Sequence, residues 1–167
     1  LHTHGLHVSP EGSADDVFVM VDPGGTHRYE YQIPADHPPG LFWYHPHHHG
    51  HDAGQVSAGM AGAIVVEDDT DLAATERILV LSDPRVGRTG AVLDVSNAER
   101  IQGREGDVVL VNGVPSPTVE AAAGSTERWR VLNASPSRFY RLRTGGPMTQ
   151  IGTDQGPLDA PRRVDQV

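Results

Sequence analysis

The sequence has no cysteine, which removes disulfides, thiolate zinc sites and thiol nucleophiles together. It has no lysine either, so all 13 basic residues are arginine, a bias to which no feature of the sequence gives a function. No apolar run approaches the roughly 18 residues a membrane span needs, and the mean hydropathy of -0.38 is that of a soluble globular protein. Histidine is absent after His51: all ten lie within the first 51 of 167 residues, so the chemistry sits at the front. Positive charge is scarce there as well. Residues 1–84 carry thirteen Asp or Glu against Arg28 and Arg77, whereas 85–167 carry nine against eleven Arg. A net charge of -9 with no cationic cluster argues against a nucleic-acid partner, whose phosphates need clustered cations.

Nineteen Gly and thirteen Pro, without a period, favour many short strands joined by turns over long helices. Alternating or apolar runs at 17–21, 28–33 and 41–44 read as strands separated by Asp22-Pro23-Gly24-Gly25 and by the Pro-rich 36–40. Residues 52–60 suit a short helical turn, and 61–67 form an apolar, β-branched strand. The acidic stretch from Asp68 to Glu76 reads as a linker, and a second strand series follows at 77–81, 107–111, 127–133, 139–144 and 148–154. Asn112-Gly113 between apolar residues is a hairpin signal. Residues 129–132 and 140–143 alternate apolar with charged, as half-buried sandwich strands do. The chain begins without Met or a signal segment and stops in a strand-like stretch, so a fragment of a longer protein is expected.

His2-Thr3-His4-Gly5 and His45-Pro46-His47 each set two imidazoles at i and i+2. In an extended chain such residues share a face, roughly 6.5–7 Å apart, a spacing that suits one ion or two neighbours. Four imidazole donors without a thiolate point to a metal, and imidazole alone serves Zn, Cu, Ni and Fe equally. His7, His27, His37, His48 and His51 lack paired placement and are expected to face solvent. His49 continues the series from His47, and both ligation and pocket lining remain open for it. Trp43 and Tyr44 precede the ligands and are expected to pack in the core rather than wall the site. Met148 and Asp154 are expected in a strand and a turn, and Arg138, Arg141 and Arg143 on a solvated face.

The segments His2-Thr3-His4-Gly5 and Trp43 to Gly50 resemble the first two copper-binding motifs of the multicopper oxidases, the laccase-like group. Residues 55–68 resemble the end of that family's first cupredoxin domain, and 108–114 and 127–142 its second. The resemblance implies an all-β chain of two cupredoxin-like Greek-key β-sandwich domains, both incomplete: 1–68 the C-terminal part of domain 1, 69–76 a linker, and 77–167 a truncated domain 2. It implies a bacterial three-domain parent, although a two-domain trimer is also open.

The resemblance further assigns His2 to a type 2 copper, His4 and His45 to one type 3 copper, and His47 to the other. The remaining ligands and the type 1 copper would come from a missing C-terminal cupredoxin domain or a neighbouring subunit. Asp15, thirteen residues beyond His2, resembles the acid near the type 2 copper in laccases, with a role in proton relay or water orientation; Glu11 and Asp16 compete for that place. The implied activity couples oxidation of a small reducing substrate to reduction of O2, and the implied location is extracytoplasmic. Two other classes fit the histidines alone: a non-catalytic copper- or zinc-binding sandwich, and a mononuclear hydrolytic metal enzyme.

Overall fold

A computed structural model describes residues 1–67, 75–154 and 156–167. Strands β1 (His2–His4), β2 (Gly40–His45) and β3 (Gly62–Val66) form an antiparallel sheet in the order β1-β2-β3, with helix α1 (Asp52–Ser57) between the last two. The β-branched and aromatic residues of 41–44 and 64–66 fit a pleated surface. Gly5, at φ +92°, turns the chain out of β1, and a Cβ there would stand 2.9 Å from the Phe42 ring. Only glycine allows both the turn and that approach.

The second series is β4 (Thr75–Ser82), helix α2 (Asn97–Gln102), β5 (Leu110–Val111), β6 (Val114–Pro115), β7 (Glu127–Asn133), β8 (Met148–Thr153) and β9 (Gly156–Val164). Four of these strands make a sheet in the order β6-β5-β4-β7, and β8-β9 make a two-stranded one. The β5-β6 turn places Asn112 at φ 51° and Gly113 at φ 78°, as the Asn-Gly pair requires. β4 and β7 run parallel, Thr75 opposite Glu127 through Leu81 opposite Asn133, and their Leu79, Leu81 and Leu132 form the second core. β2 packs against β7 and β9, which brings the second series against the sheet that carries the histidines.

Three expected strands did not form. Residues 17–21 and 28–33 are irregular, with Phe18 at 88% exposure, and 139–144 is likewise irregular, with Phe139 at 96%. Each has the alternation of a strand, but none builds a ladder among the described residues: Leu142 exchanges a single pair of backbone hydrogen bonds with Val167, and Glu30 donates one to Ser13. Helix α2 was not expected. Its start is nonetheless written locally as a capping box, with the Ser96 hydroxyl accepting from the Glu99 N–H and the Glu99 carboxylate from the Ser96 N–H. Of the expected linker, 69–74 lie outside the described residues, and Thr75 and Glu76 open β4.

Two readings of arginine also change. In β7 the buried positions are Arg130 and Leu132, whereas Trp129 is exposed. Arg130 is held by Glu76, so a charge-paired arginine occupies an inward place. Arg138 is not a solvated residue: its Nε donates to Asp83 Oδ2 at 2.8 Å and its Nη2 to the Gly106 carbonyl at 2.9 Å. The Asp83 side chain has no exposure, which explains why a guanidinium is folded over it.

Candidate metal centre

β1 and β2 pair His2 with His45, Thr3 with Tyr44 and His4 with Trp43. Because strand side chains alternate in direction, His2, His4, Trp43 and His45 share one face, and Thr3 and Phe42 turn to the other, where both are buried. The ladder therefore converts two local His-x-His spacings into one cluster. Ring centroids lie 5.3 Å apart for His2 and His4, 5.3 Å for His2 and His45, and 5.8 Å for His4 and His45. One ligand atom from each of these three falls within 4.8 Å of the others. His47, beyond Pro46 at the end of β2, stands outside that triplet but against it, its ring 5.4 Å from His2 and 6.1 Å from His45.

Hydrogen bonds fix which nitrogen is available. His2 Nδ1 lies 2.8 Å from Asp15 Oδ2, and His45 Nδ1 lies 2.8 Å from the Pro46 carbonyl oxygen. A carboxylate and a carbonyl only accept, so each Nδ1 carries a proton, and in the neutral ring Nε2 is the nitrogen that keeps its lone pair. Burial, reinforced by neighbouring imidazoles, lowers the His4 and His45 pKa values below the ordinary histidine value, although the Pro46 carbonyl opposes this for His45. Both rings are thus neutral at pH 7, the form that binds metal.

Asp15 does more than meet His2. Its second oxygen, Oδ1, accepts the Thr3 backbone N–H at 2.7 Å, so one carboxylate grips the strand and the ring it carries. Its competitors point elsewhere: Asp16 Oδ1 accepts the Phe18 N–H within its own turn, and Glu11 is exposed. Trp43 stands where a core residue was expected, yet it is only half-buried, and its indole stacks on His4 at 5.1 Å and lies tilted against His45 at 4.4 Å. It walls the cluster. Tyr44 is 40% exposed and lies over Gly62, where a Cβ would stand 2.4 Å from the phenol ring.

The outlying histidines divide. His7, His48, His49 and His51 are exposed, with His48 and His51 rings 4.9 Å apart. His27 is half-buried with its Nε2 unpartnered among the described residues, and His37 is buried. The expectation that both face solvent is therefore corrected. For His37 the overlooked signal was the His-Pro dipeptide of 37–38, which repeats that of 45–46 and makes the same Nδ1-to-Pro-carbonyl bond at 2.8 Å. Asp154 forms the turn after β8, as expected, and its charge reaches His4.

Residues 1–71 match the family model described as "Multicopper oxidase". The cell division protein FtsP of Xenorhabdus nematophila is 38% identical over 145 residues, 81% of this chain and 30% of that protein. FtsP of Escherichia coli is 37% identical over 135 residues, 75% of this chain and 28% of that protein. Among solved structures, a multicopper oxidase of Campylobacter jejuni described as a metallo-oxidase superposes with a TM-score of 0.81 at 32% identity, over 99% of this chain and 35% of that one. The McoA multicopper oxidase of Aquifex aeolicus gives 0.81 at 28% identity, over 99% of this chain and 39% of that one.

The chain belongs to the multicopper oxidase family. Its strands follow the cupredoxin-like β-sandwich fold of those oxidases, and it spans about a third of the length of the curated relatives it matches. The family match covers every histidine of this multicopper oxidase segment, and the cluster fits a copper site chemically: all its donors are imidazoles, two of them with Nε2 released by an Nδ1 bond.

Proposed function

We propose that the protein containing this chain is a laccase-like multicopper oxidase, which couples one-electron oxidation of a phenolic or metal-ion substrate to four-electron reduction of O2 to water. His2, His4, His45 and His47 supply half the ligands of its type 2 and type 3 copper cluster: His2 the type 2 ion, His4 and His45 one type 3 ion, and His47 the other. The observation that carries this reading is the convergence of three imidazoles from two paired strands, with His47 against them just past the end of β2, Nε2 of His2 and His45 free of hydrogen bonds and His4 and His45 held neutral. Bound copper supplies Lewis acidity and the one-electron chemistry that side chains lack.

The chain's own residues prepare that centre. Asp15 orients His2, holds the Thr3 backbone and stands at 2.8 Å from a ring nitrogen as a proton acceptor. Trp43 stacks on the exposed His4 ring and lies against the buried His45 ring, which steadies both. The other ligands, the type 1 copper and the substrate surface belong to a further cupredoxin domain of a three-domain parent, which acts outside the cytoplasm. Among the described residues no helix is long and apolar enough to cross a membrane.

A second reading, a metal-binding sandwich without oxidase activity, has one observation in its favour. The FtsP relatives of Xenorhabdus nematophila and Escherichia coli, 38% and 37% identical, are named for cell division, whereas the Campylobacter jejuni and Aquifex aeolicus oxidases are 32% and 28% identical. Copper titration of the full-length protein with oxygen-uptake assays on phenols and cuprous ion separates the two. Three or four coppers per chain with oxygen uptake support the oxidase; a single isolated ion without uptake supports the sandwich.

A further inference from the structure

A buried imidazole across the sheet from the cluster is barred from holding metal by its own hydrogen bonds. His37 is 9% exposed. Its Nδ1 donates to the Pro38 carbonyl at 2.8 Å, and its Nε2 accepts the backbone N–H of His7 at 3.0 Å. The carbonyl can only accept and the amide can only donate, so the ring is fixed as the neutral Nδ1–H tautomer with no lone pair to spare. His45 makes the same bond to its following proline but keeps Nε2 free. What separates the clustered imidazole from the buried one is therefore the His7 amide.

His7 lies three residues beyond His4, and the intervening chain is poorly tied by sheet. The β1-β2 ladder ends at the pair of His4 with Trp43, and the backbone then swings away at Gly5, φ +92°. The His37 ring meets the edge of Phe42 at 5.0 Å, and Phe42 in turn closes over Gly5. One side chain thus joins the backbone that leaves His4 to the β2 residue three positions before His45.

We infer that His37 is a positioning residue: by holding the His7 amide against Phe42 it fixes the exit of β1, and with it the placement of His4 relative to His45. This rests on the metal-centre reading above. A hydrogen-bond acceptor at the Nε2 position is what this role requires. Glutamine brings an acceptor oxygen to a similar reach, whereas leucine keeps the bulk and has none.

The test compares His37→Gln with His37→Leu in the full-length protein. In the metal-free form, hydrogen exchange is followed at the His7 amide, where loss of one hydrogen bond speeds exchange by about five- to tenfold. Copper(II) is then added and its affinity read by competition with a chelating dye, where a lost outer-shell contact weakens binding by about 10- to 100-fold. Fast exchange and weakened copper binding in His37→Leu, both restored in His37→Gln, support the role. Equal loss in both variants shows that ring packing, not the acceptor, matters and overturns it, as does unchanged copper affinity in His37→Leu. If leucine prevents folding, His37→Gln alone decides, because it discards the ring and keeps the acceptor. If the unsubstituted protein binds no copper, the oxidase reading fails, yet the exchange arm still decides the clamp: exchange that stays slow in His37→Leu overturns it.

Discussion

Asp15→Asn is the sharpest perturbation of the site, because it keeps the shape and alters only donors and acceptors. The native carboxylate accepts twice, from His2 Nδ1–H at 2.8 Å and from the Thr3 N–H at 2.7 Å. An amide has one acceptor and one donor face, so one of these contacts becomes donor against donor. The backbone N–H of Thr3 cannot change. His2 can, by moving its proton to Nε2, and that blocks the nitrogen that otherwise meets metal. With the Asp15 side chain only 11% exposed, water does not readily replace the lost acceptor. The expected cost is about 10- to 100-fold in copper affinity, or roughly 1.4–2.8 kcal/mol. Asp15→Ala should show the opposite balance. It leaves His2 free to choose its tautomer but strands the Thr3 amide in a residue that is 3% exposed, so it should lose about 1–3 kcal/mol of stability. Nitrogen NMR of the His2 ring in the metal-free full-length protein, with copper titration and thermal unfolding, reads all three quantities. If Asp15→Asn keeps the Nδ1–H tautomer and native copper affinity, the account of Asp15 is wrong.

Replacing His45 or His47 by Ala should abolish oxygen uptake by the full-length protein while any type 1 blue absorption persists, and replacing exposed His51 should leave uptake unchanged; an inactive His51→Ala with an active His47→Ala reverses the ligand assignment. Glu99, tied to Ser96 and Arg85, and Glu127, tied to Arg77 and Trp129, both have pKa values held down to about 2. A depressed carboxylate pKa stabilises the fold above the unfolded value of about 4.3 and is lost as pH falls towards the folded one. Acid unfolding should therefore steepen between about pH 4.3 and 2, and Glu99→Gln with Glu127→Gln should flatten that region in a pH series of melts. For His4 and His45, lowered mainly by burial, the protonated ring is the one the fold disfavours. Metal-free stability should fall as pH drops below about 6.5, and His4→Gln should reduce that slope. At Gly106 a Cβ would stand 1.7 Å from the Asp83 carbonyl oxygen, so Gly106→Ala should cost at least the ~1–3 kcal/mol of an overpacked site, measured by denaturant unfolding.

The histidine cluster was legible because both of its parts are local. A His-x-His spacing in an extended strand already states that two rings share a face, and only the pairing of His2 with His45 had to be added by the fold. The strands expected at 41–44, 61–67, 77–81 and 127–133 were legible for the same reason, since their residues both prefer and find a ladder. What could not be read was whether a partner strand exists. Residues 17–21, 28–33 and 139–144 carry the right alternation but build no ladder among the described residues, although Leu142 exchanges one pair of backbone hydrogen bonds with Val167. His37 was misplaced because its burial depends on an amide thirty residues away. Trp43 was misplaced because the ladder sets it opposite His4, on the ligand face, rather than in the interior. Arg130 faces inward because Glu76 meets it from the parallel strand, a pairing fifty-four positions distant.

The pairing of His2 with His45 and His4 with Trp43 makes backbone hydrogen bonds the gauge that sets the separation between donor rows. Lengthening or trimming the exposed turn at Gly24 leaves that gauge untouched, so descendants of this chain can remodel their outer loops freely. Deleting Thr3 is a different matter: the two imidazoles of β1 would then be presented to opposite sides of the sheet. Tolerance to length change is therefore expected to drop abruptly, not gradually, at the edges of these two short strands.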